Sequence, residues 1–334
     1  MKNKIGVVLA TYNGEKYILE QLKSIINQTM IPSSIIISDG GSSDKTIDIC
    51  EKYLATTNIN YKILKSKTKL GVKDNFEKGL RQCNAKYIFF SDQDDCWLPQ
   101  KIQNSVEIFE KYDADVVWCN AFITNENLEV KMNLWDSVGY KNSETINIYN
   151  KYDLNLQKEL IKHNVMTGMC MAINIRIKNE IIPFSDYKIH DVWIAYASNC
   201  LGRVVSIDSK DVYYRQHGNN AIGTSSSIRK SLSHKNAYFV NLLNEKGFIE
   251  DVLLKYSNTK EKIFFDNYTK YLEYLNKRID YIKKKKNILF IFSLLRDYGK
   301  YEYKCMRIII RDLFTRITYK EAGECNEGRG VCNK

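Results

Sequence analysis

Over the first 120 residues, short apolar runs alternate with segments of helical periodicity, and that alternation restricts the chain to an α/β architecture with a mainly parallel sheet. Ile5–Ala10 is a continuous apolar run of strand length that ends at the turn-prone Thr11-Tyr12-Asn13-Gly14. Ile18, Leu22, Ile25 and Ile26 follow at helical spacing. A second run, Ile35–Ile37, opens into Ser38-Asp39-Gly40-Gly41-Ser42-Ser43-Asp44, and a helix is predicted from Asp44 to Leu54 with Ser43 as its N-cap. Tyr61–Leu64 reads as a third strand. Gly71 breaks the chain before a helix over Asp74–Cys83, and Tyr87–Phe90 is a fourth strand that delivers Ser91-Asp92-Gln93-Asp94-Asp95. Polar strand ends along one edge of an open sheet are where such folds bind ligands.

Beyond residue 150 the pattern is mixed. Leu154–Ile161 is helix-like, Thr167–Ile173 reads as a strand, and Asp186–Cys200 carries His190-Asp191 ahead of a helix-like run. Val204–Ile207 and Val212–Tyr214 read as two short strands, Gln216–Ser227 as a Gly/Asn/Ser-rich mobile loop, and the chain after it as helical to about residue 319.

The hydrophobic content of 44% suffices for a buried core, and 27% charged residues with three prolines argue against disorder. Nine cysteines are scattered with no Cys-x-x-Cys pair, which removes support for zinc ribbons and redox dithiols and suits reduced thiols used as small apolar fillers. The first apolar run is shorter than a signal-peptide core, and no stretch approaches the roughly 20 apolar residues of a membrane-spanning helix. A cytoplasmic, soluble or peripheral protein is expected. Of the net charge of +11, a surplus of eight falls within residues 281–320. Such a patch suits anionic lipid headgroups. No recognition motif for nucleic acid accompanies it.

Three carboxylates in Asp92-Gln93-Asp94-Asp95, placed directly after a buried strand, repel one another, and a divalent Mg²⁺ or Mn²⁺ relieves that repulsion; an acidic surface turn is the plainer alternative. In an extended segment Asp92 and Asp94 share a side while Gln93 faces elsewhere. Asp39, among glycines and serines, can either cap its own turn or line a ligand pocket. Thr11-Tyr12-Asn13 has the same two possibilities. Asp191 is either a helix cap or a general base. Arg215 suits diphosphate oxygens and His217 a metal, although a single histidine is more often structural.

Taken in order, these segments resemble the inverting family-2 glycosyltransferases of the GT-A fold. The nearest subgroup is the rhamnosyltransferase-like enzymes of bacterial surface polysaccharide synthesis. The likeness runs from Val7–Gly14 through Ser24–Thr29, Ser38-Asp39, Leu70-Gly71-Val72 with Asn75-Phe76, Ser91–Pro99 and His190-Asp191 to Tyr214–Asn220. It implies a Rossmann-like mixed α/β domain over 1–227, with a nucleotide half of about 1–120 and an acceptor half of about 121–227. A helical basic region over 228–320 and a disordered tail over 321–334 would follow. By the same likeness Thr11, Asn13, Asp39 and Gly71 line the nucleotide-sugar pocket. Asp94 is the direct metal ligand with Asp92 beside the metal or ribose, His217 completes the coordination, Arg215 lies near the diphosphate, and Asp191 is the base. Family members carry a second acid after the position of Asp39, and here that position is Gly40, which leaves UDP and dTDP donors both open.

The resemblance implies transfer of a hexose or deoxyhexose, rhamnose among them, from a nucleotide-diphosphate sugar to a glycan acceptor, lipid-linked, in capsule or O-antigen assembly on the inner face of the plasma membrane. Sugar-1-phosphate nucleotidyltransfer is the enzymatic rival, although Leu9–Gly14 lacks the basic residues of its phosphate loop. A non-catalytic nucleotide-sugar-binding protein is the third possibility. In the C-terminal region, Met306, Ile309, Ile310, Leu313, Phe314 and Ile317 keep helical spacing beside Arg307, Arg311 and Arg316, the pattern of an interfacial helix or of one packed on the protein.

Overall fold

The computed structural model describes residues 4–141, 144–162, 165–218, 237–283, 294–301 and 305–318. The chain divides into two compact units, the first formed by 1–156, 164–184 and 189–220, the second by 157–163, 185–188 and 221–334. The two short excursions, 157–163 and 185–188, are long-range associations that no local pattern announces.

The first unit holds ten strands in one mixed sheet: β1 (Ile5–Thr11), β2 (Ser34–Asp39), β3 (Asn60–Leu64), β4 (Tyr87–Ser91), β5 (Cys96–Trp97), β6 (Val116–Thr124), β7 (Val130–Asn133), β8 (Ile146–Tyr149), β9 (Met171–Asn174) and β10 (Val204–Arg215). Their order is β3-β2-β1-β4-β9-β6-β10-β5, with β7 on β6 and β8 on β10. β1 has parallel neighbours on both edges, β2 and β4, and all seven of its residues, pointing to either face of the sheet, are buried. This is why it reads as a continuous apolar run rather than an alternating one. β9 runs antiparallel between β4 and β6. The parallel strands therefore end together, at Thr11, Asp39, Ser91, Thr124 and Arg215, and β9 begins at that same edge.

Helices α1 (Ile18–Ile26), α2 (Thr46–Leu54), α3 (Val72–Gln82), α4 (Lys101–Tyr112), α5 (Leu134–Val138), α6 (Leu154–Lys162), α7 (Lys178–Ile181) and α8 (His190–Leu201) accompany the strands. Their apolar stripes join the sheet in one core: Ile18, Leu22 and Ile25 from α1, Cys50 and Leu54 from α2, and Ile102, Val106 and Phe109 from α4. Each such side chain contributes about 1.5–3 kcal/mol by leaving water.

Three local expectations are corrected. Ser43 is not the cap of α2. Asp44 takes that part by accepting hydrogen bonds from the backbone N–H and hydroxyl of Thr46, while the Ser43 N–H donates to Asn13 Oδ1 at 2.9 Å. The two short strands at 204–207 and 212–214 are one strand, β10, because its register shifts between Ile207 and Lys210 and again before Tyr213 absorb the polar Asp208–Lys210 within the ladder. The strand expected over 167–173 begins as a 3-10 turn, Gly168–Cys170, and only then becomes β9.

The second unit is helical among its described residues. α9 (Ala237–Tyr256), α10 (Lys262–Lys283), α11 (Leu295–Tyr301) and α12 (Cys305–Thr318) surround a buried ion pair. Arg278 donates from Nε to Asp312 Oδ2 at 2.9 Å and from Nη2 to Asp312 Oδ1 at 3.1 Å, and the Tyr238 and Tyr298 hydroxyls also donate to that carboxylate. In α12, Ile309 is buried but Ile310 is exposed, and the side chains filling the buried stripe include Asp312 and Thr315. Lys284–Lys286, most of Ile288–Leu295 and the expected disordered tail lie outside the described residues.

Candidate active site

Because the parallel strands end at one edge, the turns that follow them converge there, although up to about 200 residues separate them in sequence. After β1, Asn13 adopts φ 46°, a left-handed conformation that asparagine tolerates. Its N–H donates to Ser42 Oγ at 2.9 Å, which stitches this turn to the one after β2. Asp39, at the end of β2, is buried and fully engaged. Its Oδ1 accepts from the Thr11 hydroxyl at 3.0 Å and the Ser42 hydroxyl at 2.5 Å, and its Oδ2 from the N–H groups of Gly41 and Ser42 at 3.0 and 2.9 Å. Gly41 is required here by its φ of 92°. Asp39 and Thr11 thus fix two turns at this sheet edge. The Gly40 carbonyl accepts from Leu70 N–H at 3.0 Å, which brings the Gly71 turn alongside.

The acids after β4 separate into distinct environments. Asp95 is completely buried. Its Oδ1 accepts from the Arg215 N–H at 3.2 Å, its Oδ2 meets no donor among the described residues, and burial together with repulsion from Asp94 and Asp92 holds its carboxyl far above the usual range. Asp92 is pushed up by burial, and then by the charges of Asp94 and Asp191. Those same acids raise the Tyr214 hydroxyl, after burial, so Asp92, Asp94, Asp95, Asp191 and Tyr214 share one electrostatic neighbourhood. Clustered acids of this kind mark functional sites, since each disfavours ionisation of the next.

His217 arrives from beyond β10 with Nε2 at 2.9 Å from Asp94 Oδ2 and its ring 4.7 Å from that of Tyr17. Arg215 does not point its guanidinium into open space beside a diphosphate. Its Nε donates to the Asp94 carbonyl at 2.8 Å, Nη1 donates to the Glu126 carbonyl at 2.5 Å, and Nη2 pairs with Glu20. A fork with three partners is suited to holding loops in place. The residue expected near a diphosphate is thus engaged by Asp94, Glu126 and Glu20.

Asp191 opens α8. Its Oδ1 accepts from the Val192 N–H at 2.7 Å and its Oδ2 from the Gly168 N–H at 3.2 Å. The chain thus brings Asp92, Asp94, Asp95 and Asp191 together with His217, and separately ties Thr11, Asn13 and Asp39 into the turns after β1 and β2. Sequence reasoning assigned no part to Gln93, Tyr214 or Gly168, whose partners lie 23 to 122 positions away. Gln93 and Tyr214 lay in motifs already under scrutiny, and Gly168 did not.

Asp94 and His217 could hold a divalent cation with Asp92 adjacent. No three His, Cys, Asp or Glu side chains among the described residues form a ready-made metal cage. That donor set fits Mg²⁺ or Mn²⁺ nonetheless, because such ions are commonly held by one or two carboxylates plus substrate phosphates and water. A cavity of about 590 Å³, lined by Asp113, Asp115, Arg176 and Arg203 among others, lies at the opposite ends of β6 and β10, where Arg176 pairs with Asp113 and Asp115 and the Arg203 N–H donates to Asp115. It is remote from this chemistry.

The edge of a mainly parallel α/β sheet, with clustered acids after its fourth strand and a further acid opening a distant helix, defines a nucleotide-binding transferase class. The chain belongs to glycosyl transferase family 2, whose profile matches residues 6–180. It is 33% identical over 235 residues to the dTDP-rhamnosyl transferase RfbG of Shigella flexneri, covering 66% of this chain and 75% of that one. It is 24% identical over 221 residues to the UDP-Glc:alpha-D-GlcNAc-diphosphoundecaprenol beta-1,3-glucosyltransferase WfaP of Escherichia coli, covering 64% and 77%. The fold matches the crystal structure of Staphylococcus aureus TarS 1-349 in complex with UDP, with TM-score 0.60 and 16% identity over 94% of this chain and 88% of that one. Family membership sets the nucleotidyltransferase alternative aside.

Proposed function

We propose that this glycosyltransferase moves a hexose or deoxyhexose, with inversion, from a UDP- or dTDP-sugar to a lipid-linked glycan acceptor in surface polysaccharide assembly, using a bound Mn²⁺ or Mg²⁺. The observation that carries this reading is the convergence of Asp92, Asp94 and His217 with Asp191 at one sheet edge. Likeness to a dTDP-rhamnosyl transferase and to a glucosyltransferase acting on a diphosphoundecaprenol-linked sugar supports the donor and acceptor classes.

In this reading Thr11, Asn13, Asp39 and Gly71 frame the nucleotide. Asp94 and His217, with Asp92, would hold the cation, and that cation would supply electrostatic stabilisation of a departing diphosphate. Arg215 keeps the Asp94 backbone in place. Asp191 accepts the proton of the acceptor hydroxyl as that oxygen attacks the anomeric carbon from the face opposite the diphosphate, and the nucleotide diphosphate departs. Backbone amides on both oxygens aim the Asp191 carboxylate without protonating it.

Incubation with Mn²⁺ and a panel of UDP- and dTDP-sugars tests the proposal. Slow release of the nucleoside diphosphate from one donor is expected, and no turnover of any donor with any lipid-linked acceptor would refute it. No helix of the described residues is long and apolar enough to cross a membrane. Peripheral contact through the basic stretch at 283–286 is part of the proposal. Replacing Lys284, Lys285 and Lys286 by Gln in the full chain should reduce flotation with anionic vesicles, and unchanged flotation excludes it.

A further inference from the structure

His190, directly before the base, has no role in the chemistry above, yet its environment is unusual. The ring is 4% exposed, and among the described residues neither of its nitrogens has a hydrogen-bond partner. It stacks on Phe76 of α3 with centroids 3.8 Å apart at 24°, and Phe90 of β4 lies 5.9 Å away. Apolar burial pulls the imidazole down to about 3, so the ring is neutral. Packing alone would favour leucine or phenylalanine here, since a buried polar group without a partner is destabilising.

The ring also packs tightly against Gly168. A Cβ on Gly168 would lie 2.5 Å from His190 Nε2 and 3.1 Å from Cε1, while its next neighbour, Asp191 Cβ, would be at an ordinary 3.6 Å. Gly168 does not have a left-handed φ, so glycine is required there by the imidazole alone. Its N–H is also the donor that holds Asp191 Oδ2. His190 is thus stacked on Phe76 and packed against Gly168, so its position sets how closely the Gly168 amide approaches the carboxylate.

We propose that His190 is a positioning residue: stacked on Phe76 and packed against Gly168, it fixes the Gly168 N–H against the Asp191 carboxylate and so aims the base at the acceptor hydroxyl. The inference rests on the reading of Asp191 as base. Misplacing a reacting group by about 1 Å can lower turnover roughly 10²-fold.

The test is a double-mutant cycle on the full-length protein, following kcat and KM for donor and acceptor. Gly168→Ala should lower kcat by about 10- to 100-fold with donor KM within about twofold, because the new methyl displaces the ring and the amide moves. His190→Ala should lower kcat less. Combining the two should restore kcat toward the level of His190→Ala, since the methyl then occupies vacated space. A double variant no faster than Gly168→Ala, or losses confined to KM, would overturn the proposal. If Gly168→Ala fails to fold by circular dichroism, His190→Ala alone decides: reduced kcat at unchanged KM supports positioning, and unaltered kcat refutes it. Asp191→Asn separates the two levels. Full turnover in that variant removes the base reading itself, whereas an inactive Asp191→Asn beside an unrescued double variant removes the positioning role alone.

Discussion

The side-chain amide of Gln93 closes on the backbone of Tyr12 as a strand partner would: Oε1 accepts from the Tyr12 N–H at 2.9 Å and Nε2 donates to the Tyr12 carbonyl at 2.9 Å. Gly14 leaves room for that amide, because a Cβ there would overlap Gln93 Oε1. The turn after β1 and the segment after β4 are thereby made one rigid surface. Gln93→Ala removes both bonds, worth about 0.5–1.5 kcal/mol each, and should weaken nucleotide binding by roughly tenfold with a smaller change in kcat. Titration calorimetry with UDP and dTDP checks this, and Gly14→Ala should reproduce the effect by expelling the amide.

Asp191→Asn keeps the size of the side chain and removes its basicity. Turnover should fall about 10²–10⁴-fold while nucleotide affinity stays nearly constant. Steady-state transfer assays beside nucleotide titrations distinguish this from a general loss of structure.

Chelation with EDTA should abolish transfer, and Mn²⁺ or Mg²⁺ should restore it. Asp94→Ala should remove the enhancement of nucleotide affinity by Mn²⁺, and His217→Ala should reduce it, because a cation bridging protein and diphosphate couples the two bindings. Nucleotide affinity measured with and without metal in each variant provides the readout. Equal enhancement in all three proteins would exclude these ligands.

The buried ring of His190 titrates at about 3 in the folded chain against an ordinary value of 6.5. Between those values the unfolded chain binds the extra proton, so folding stability is unaffected above about pH 6.5 and declines as pH falls toward 3. The slope from this one group approaches about 1.4 kcal/mol per pH unit. His190→Leu should show a correspondingly flatter acid limb in denaturant melts across that window. Parallel limbs would show that the ring gains its proton without unfolding.

In the helical unit, Asp312→Ala should destabilise by about 3–5 kcal/mol, since it leaves Arg278 buried without its counter-charge. Asp312→Ala with Arg278→Met should recover much of that loss. Thermal denaturation of the full chain reports both.

The sequence by itself determined the elements and the chemistry they could carry. Ile5–Ala10 and Tyr87–Phe90 are apolar on both faces because their strands are covered on both faces, and that local pattern survives without knowledge of the fold. Asp92, Asp94 and Asp191 were legible because acids at a strand end and beside an apolar helical run are conspicuous against their neighbours. Tertiary structure decided which partner each group meets. Arg215, free in sequence to face a diphosphate, is claimed by Glu20 and by two backbone carbonyls because β10 ends beside β6. Asp39 is consumed by the turns it ties, and His190 acquires meaning only through Phe76 and Gly168. Periodicity records which face of a segment is buried. The contacts across that face come from strand order, which depends on the chain as a whole.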